Sequence, residues 1–170
     1  MKRVLVAGVG NVFLGDDAFG VEVVRELMRR PNLSHVTLRD FGTRGLDLAY
    51  TLVDGVDALL LLDTVQRGQP PGTLTVLEPD FESDRAPEEL LGPGHGVDPC
   101  RVFDLVRALG GTMPRTRLLG CEPLSFGSDE EPMLALSAPV QAAVVRALPL
   151  IEQLLLELSG EPYVGAAQHA

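Results

Sequence analysis

The sequence lacks the features of membrane, exported and disulfide-rich proteins. No uninterrupted apolar run reaches about 18 residues, so no transmembrane helix is expected. The opening segment MKRVLVAGVG carries only a strand-length apolar run, which does not indicate an export signal. Only two cysteines occur, Cys100 and Cys121, and they form no CxxC pair, which argues against a disulfide framework or a zinc-thiolate site. A reducing, cytoplasmic setting is therefore expected.

A basic patch is also missing. The 14 Lys and Arg residues are scattered among 24 Asp and Glu residues, and the formal net charge is -10. Such a surface repels polyanions, so no nucleic-acid partner is expected. No exposed apolar repeat stands out either, which favours a monomer.

The length and composition are those of one packed domain. The chain has 170 residues, of which 45% are hydrophobic and 22% are charged, values close to globular averages. We predict one domain over residues 1–159 and a flexible carboxy-terminal tail over residues 160–170, where no pattern remains.

Strand-like and helix-like segments alternate along the chain. Short apolar runs at residues 4–9 and 58–63 predict strands of a parallel sheet, the segment HVTLRD at residues 35–40 predicts another strand, and RTRLLGCEP predicts the last one. The segment GTLTVLEP follows a Pro-Pro-Gly turn that leaves no room for a helix. We therefore expect it to be an antiparallel neighbour reached from the preceding strand by a short loop.

Four segments predict helices between and after these strands. The first runs from about Asp17 to Arg30, and the second follows the glycine turn of FGTRGLDLAYTLVDG. Asp98 is a predicted cap of the third, and the last spans residues 137–158 with a bend expected at Pro149. The alternation predicts an α/β fold, a three-layer α/β/α sandwich around a mostly parallel sheet of about five strands with one antiparallel strand.

Polar side chains stand at or beyond the carboxyl ends of three predicted strands, where ligand sites of such folds lie. Asp16 and Asp17 come after the first strand, Asp63 ends the run of leucines, and His95 lies in a long loop over residues 80–95. One aspartate of the first turn, Asp63 and His95 together supply two carboxylates and an imidazole, which can bind a divalent ion and leave coordination positions open for a substrate.

Each of these residues also has a purely structural interpretation. One aspartate of the first turn can cap the following helix, Asp63 can bind the next turn, and His95 can be an exposed loop residue. We expect one aspartate to cap the helix while the other faces the crevice.

A dinucleotide site is the alternative interpretation of the first turn. The fingerprint G-x-G-x-x-G requires a third glycine, but Phe13 stands at that position after Gly8 and Gly10. Asp40 could serve as the ribose-binding acid. However, Asp16 and Asp17 would repel a pyrophosphate at the start of the helix.

Five segments together resemble the hydrogenase maturation proteases, the endopeptidases that trim the large subunit of [NiFe] hydrogenases. The segments are GVGNVFLGDDAFGVEVV, DFGTRGLDL, LLLLDTV, GHGVDPCRVFDLV and LLGCEP, and their order and spacing hold over nearly the whole chain. The resemblance implies a phosphorylase/hydrolase-like version of the sandwich. It also implies a nickel-dependent, aspartyl-type hydrolase that recognises the nickel-loaded large-subunit precursor and removes its carboxy-terminal extension.

The resemblance further implies that the nickel belongs to the substrate and is not held tightly by the free protease. The metal-contacting and catalytic positions correspond to Asp17, Asp63 and His95, and either aspartate could instead activate water as a general base. Further positions are expected to shape the crevice or admit the substrate tail, namely Asn11, Asp16, Gly42, Thr43 and Gly45. A metallopeptidase with its own metal and a non-catalytic nickel- or nucleotide-binding module remain alternatives.

Overall fold

The computed structural model describes residues 2–31, 34–81 and 97–160. Within these residues, strands and helices alternate as the sequence predicts. The strands are β1 (Val4–Val9), β2 (Val36–Gly42), β3 (Ala58–Thr64), β4 (Leu74–Leu77) and β5 (Arg115–Cys121). The helices are α1 (Phe19–Met28), α2 (Gly45–Val53), α3 (Pro99–Ala108) and α4 (Ala138–Ser159), and a 3-10 helix (Gly15–Ala18) precedes α1.

The strands form one sheet with the order β2-β1-β3-β5-β4. β1 pairs in parallel with β2 and β3, and β3 pairs in parallel with β5. β4 is antiparallel, as predicted, but its partner is β5. The prediction that β4 lies next to β3 is wrong, because β5, which comes later in the chain, takes the position between them.

Helices cover both faces of the sheet, which confirms the three-layer sandwich. α1 and α4 pack on one face, where the alternate residues Val4, Val6 and Leu60 point. α2 and α3 pack on the other face, where Leu5 and Leu59 point. Because successive side chains of a strand alternate between faces, a strand covered on both sides must be apolar throughout. β1 is accordingly buried at every position.

The start of α3 follows its predicted signal, and α4 begins and ends within one residue of its predicted bounds. Asp98 caps α3, accepting a hydrogen bond of 2.9 Å from the Cys100 amide. α4 is a single helix that continues through Pro149 and ends at Gly160, which has a left-handed conformation. The bend at Pro149 stays a prediction.

The region between β1 and α1 differs from the predicted one. The helix was expected from about Asp17, but a 3-10 helix occupies residues 15–18 and the α-helical part begins at Phe19. The long loop over residues 80–95 and the tail lie largely outside the described residues, and the limits of the single domain stay a prediction. None of the helices in the described part of the chain is long and apolar enough to cross a membrane.

Two glycines let the start of α1 approach the sheet. A Cβ at Gly20 would lie 2.0 Å from the carbonyl oxygen of Leu62 in β3 and 2.7 Å from that of Val9 in β1. Gly10 has φ +138°, and a Cβ there would lie 1.8 Å from the Asp17 carbonyl oxygen. These contacts place the 3-10 helix over the carboxyl ends of β1 and β3, where the strand order reverses and ligand crevices form in open α/β sheets.

We predict that Gly20→Ala destabilises the protein through this contact. The added methyl group overlaps strand backbone, which cannot move aside cheaply, so the free energy of unfolding should fall by on the order of 3 kcal/mol. Urea denaturation measures the change. Gly45→Ala at the start of α2 is the matched control, because its nearest neighbour would be 3.4 Å away. Equal effects of both substitutions would contradict the close approach at Gly20.

Candidate active site at the ends of strands β1 and β3

Asp17 lies in the 3-10 helix and is fully buried. Its Oδ2 accepts a hydrogen bond of 2.8 Å from the Asn11 amide, and its Oδ1 accepts one of 3.2 Å from the Thr64 hydroxyl. The carboxylate is thus tied both to the loop that follows β1 and to the end of β3.

Asp63 occupies the end of β3 and is 8% exposed. Its Oδ1 accepts a hydrogen bond of 2.7 Å from the Thr64 amide. Thr64 therefore contacts both carboxylates, Asp63 through its amide and Asp17 through its hydroxyl. Among the described residues, Oδ2 of Asp63 has no hydrogen-bond partner and no ion pair reaches this side chain.

The two carboxylates, called the acid pair below, are electrostatically coupled. Burial raises the pKa of Asp63 well above its ordinary value, the charge of Asp17 raises it further, and the hydrogen bond from the Thr64 amide lowers it only in part. Two adjacent buried carboxylates cannot both stay ionised without a large cost in free energy. A proton or a metal cation removes that cost, so the pair has the chemistry of a cation site.

The expectation that one aspartate caps α1 is wrong. Neither the 3-10 helix nor α1 has a side-chain hydrogen bond at its N-cap. Asp16, fully buried, instead accepts hydrogen bonds from Leu124, Ser125 and Ser137. These partners lie just after β5 and just before α4, so the carboxylate supports the start of a different helix, whose dipole favours a negative charge there.

The crevice-shaping candidates do not all meet at one place. Asn11, Gly42 and Thr43 line one open groove beside the loop after β1. Asn11 binds Asp17 through its backbone amide, while its side chain makes only a local turn by accepting a hydrogen bond of 2.9 Å from the Phe13 amide. Gly45 is not a lining residue of that groove and packs near Val97 and Val102.

His95 lies outside the described residues. Within the described ranges, no group of three or more His, Cys, Asp or Glu side chains is arranged to hold a metal ion. The described part of the site therefore consists of the acid pair. The sequence pattern did not indicate Thr64 as a site residue, although it directly follows Asp63 in LLLLDTV.

Cys121 lacks the features of a catalytic nucleophile. Cys121 is buried, and burial, with the nearby charge of Asp16, raises the pKa of its thiol to about 12. Such a thiol stays protonated at neutral pH and is a poor nucleophile. Cys100 is half-buried.

The fold and the acid pair define an α/β sandwich with a carboxylate site at the carboxyl ends of its parallel strands. A family model described as hydrogenase maturation protease (HycI) matches residues 21–154 of the chain. The chain belongs to the hydrogenase maturation protease family. It is therefore a hydrolase, an endopeptidase that acts in processing the hydrogenase large subunit.

Individual relatives agree over most of their length. The chain is 32% identical to the hydrogenase expression/formation protein HupD of Rhizobium leguminosarum bv. viciae over 86% of this chain and 70% of that protein. It is 32% identical to the hydrogenase 2 maturation protease of Escherichia coli K12 over 92% and 90%. The structure of the hydrogenase maturating endopeptidase HybD from E. coli superimposes with a TM-score of 0.71 at 30% identity, covering 91% of this chain and 93% of that chain.

We predict that Asp63→Asn changes how stability depends on pH. Because the folded pKa is raised, the folded protein keeps a proton that the unfolded chain releases above about pH 4. The free energy of unfolding of the unaltered protein should therefore decrease as pH rises from about 4 through the folded pKa, by up to about 1.4 kcal/mol per pH unit. Asparagine cannot bind this proton. The free energy of unfolding of the variant, relative to that of the unaltered protein, should therefore increase as pH rises from about 4 through the folded pKa of Asp63.

Urea denaturation of the metal-free proteins between pH 4 and 7 measures this difference. Asp54→Asn is the control, because it removes a carboxylate from an exposed position after α2, where water screens the charge. A stability difference for Asp63→Asn that stays constant across the window would contradict the coupling within the acid pair.

Proposed function

We propose that this protease recognises a [NiFe] hydrogenase large-subunit precursor through the nickel that the precursor already carries, and then removes the precursor's carboxy-terminal extension. The observation that carries the proposal is the buried acid pair, whose mutual repulsion a cation relieves. Nickel is part of the substrate in this account, so the free protease needs no tightly held metal of its own.

The acid pair offers unequal oxygens to a metal. Both oxygens of Asp17 already accept hydrogen bonds, from Asn11 and from Thr64, and these bonds fix the orientation of the carboxylate. Asp63 is the more accessible of the two, and Oδ2 lacks a partner among the described residues. We propose that Asp63 makes the first contact with nickel and that Asp17 and His95 complete the set. Two carboxylates and a neutral imidazole suit a nickel ion that keeps its other ligands in the substrate.

The same two carboxylates can supply the base for hydrolysis. A general base works best when its pKa lies near the working pH, and in the metal-free protein burial and the charge of Asp17 shift the pKa of Asp63 upward, in that direction. We propose that whichever carboxylate of the acid pair nickel leaves uncoordinated accepts a proton from the attacking water, while the other is a fixed neighbouring charge. The aspartates then hydrolyse the peptide bond only when nickel is correctly placed, because a displaced metal would misplace the scissile bond.

The groove beside the loop after β1, which reaches the acid pair through the Asn11 amide, offers a path for the substrate tail. It is lined by residues of the loop after β1 and of the turn after β2, including Asn11, Gly42 and Thr43. Gly42 has φ +53°, and its carbonyl oxygen accepts a hydrogen bond of 3.0 Å from Gly10, so the two loops are joined. We propose that the extension lies along this groove, with the protease acting as a cytoplasmic monomer and not on nucleic acid.

We predict that Asp63→Asn and Asp17→Asn each reduce cleavage by at least about 100-fold, since each removes a charge that positions metal and water. The measurement is the intact mass of a cognate large-subunit precursor, prepared with and without nickel and incubated with each protein. The unaltered protease should remove one carboxy-terminal peptide from the nickel-loaded precursor only.

Asp54→Asn is again the control for loss of one negative charge, and it should cleave normally. Cleavage of the nickel-free precursor by protease containing stoichiometric zinc would contradict the nickel gate and support a metallopeptidase with its own metal. An unchanged mass with an authentic nickel-loaded precursor would contradict the proposed reaction for that pair.

A further inference from the structure

Asp16 is a buried carboxylate that the proposed chemistry does not use. Its Oδ2 accepts hydrogen bonds from the Leu124 amide (2.8 Å), the Ser125 amide (3.1 Å) and the Ser137 hydroxyl (2.8 Å), and its Oδ1 accepts one from the Ser137 amide (2.7 Å). These donors lie 108 to 121 residues further along the chain. Hydrogen bonds to a carboxylate are stronger than those between neutral groups, so this is a firm attachment between distant segments.

Backbone hydrogen bonds reinforce the same attachment. The Gly15 amide donates to the Met133 carbonyl oxygen (2.8 Å), and the Asp16 amide donates to the Ser125 carbonyl oxygen (3.1 Å). The 3-10 helix is thus fixed to residues 122–137, the segment that joins β5 to α4. That segment also lines a second groove beside the loop after β1, through Leu134 and its two following neighbours.

Asp16 and Asp17 are consecutive residues of this 3-10 helix, but their carboxylates have different partners. Successive residues of a 3-10 helix differ in direction by about a third of a turn. One carboxylate accordingly faces residues 122–137, while the other faces Asn11 and Thr64. The attachment of Asp16 therefore determines where the backbone of Asp17 lies relative to Asp63.

We propose that Asp16 is a positioning residue, which holds Asp17 in register with Asp63 and with the groove wall to which residues 134–136 contribute. This inference rests on the proposed function for its kinetic consequence, but its structural consequence can be measured without any substrate. Asp16 itself contacts neither metal nor substrate in this account.

The test compares Asp16→Asn with the unaltered protease. Asparagine keeps the shape but has one acceptor oxygen in place of two, and its NH2 group would face backbone N–H donors. With nickel-loaded precursor, at a temperature where the variant is folded, kcat should fall by roughly 10- to 100-fold while KM changes little, because a misplaced reacting group lowers the rate more than it weakens docking. Ser137→Ala removes only the hydroxyl bond and should have a smaller effect on kcat.

The second measurement is amide hydrogen exchange at Asn11, whose N–H donates to Asp17. In Asp16→Asn this amide should exchange about tenfold faster or more, since Asp17 no longer holds its position. Leu155→Ala is the control for a general loss of stability: Leu155 is buried near the far end of α4. At matched overall stability it should leave both kcat and the exchange rate of Asn11 close to those of the unaltered protein.

The outcomes separate this inference from the proposed function. A folded Asp16→Asn variant with unchanged Asn11 exchange, or with no more effect than Leu155→Ala, would overturn the positioning role whether or not the precursor is cleaved. Faster Asn11 exchange together with no cleavage by the unaltered protease would support the positioning of Asp17 and count against the proposed reaction.

Discussion

The site depends on the repulsion between Asp17 and Asp63. Both carboxylates are buried, and Thr64 binds both of them. The threonine contacts one carboxylate through its hydroxyl and the other through its amide. Hydrogen bonding alone does not offset the cost of two neighbouring buried charges, since the pKa of Asp63 remains raised. The metal-free protein therefore retains an unfavourable electrostatic energy, which binding of a cation can convert into affinity.

The surrounding fold keeps these carboxylates from moving apart. Gly20 lets α1 touch the backbones of β1 and β3, so the 3-10 helix lies directly over the ends of both strands. Asp16 fixes that helix to the start of α4, and the Asn11 amide fixes the other side of Asp17. In the proposed function the acid pair contacts a metal that the substrate protein carries, and rigidity helps there because a shift of about 1 Å is enough to misplace a reacting bond.

Much of this arrangement could be predicted from the sequence, and the remainder depends on contacts between distant residues. Short strand-like segments indicated the parallel strands, and their carboxyl ends indicated that Asp63 lies close to Asp16 or Asp17. The choice of Asp17 over Asp16 came from the family resemblance. The partner of β4 could not be read locally, because β5 enters the sheet later in the chain. The partners of Asp16 are at least 108 residues away, so local capping rules gave the wrong interpretation. His95 remains a prediction that lies outside the described residues.

X-ray absorption at the nickel edge tests the central claim most directly. The spectrum of a nickel-loaded large-subunit precursor would be recorded alone and then in complex with the protease, frozen within the first turnover. We expect oxygen or nitrogen ligands to join the nickel in the complex with the unaltered protease, and fewer such ligands to join it in the complex with Asp63→Asn. A nickel coordination sphere that is identical with and without bound protease would contradict a direct contact between the acid pair and the metal.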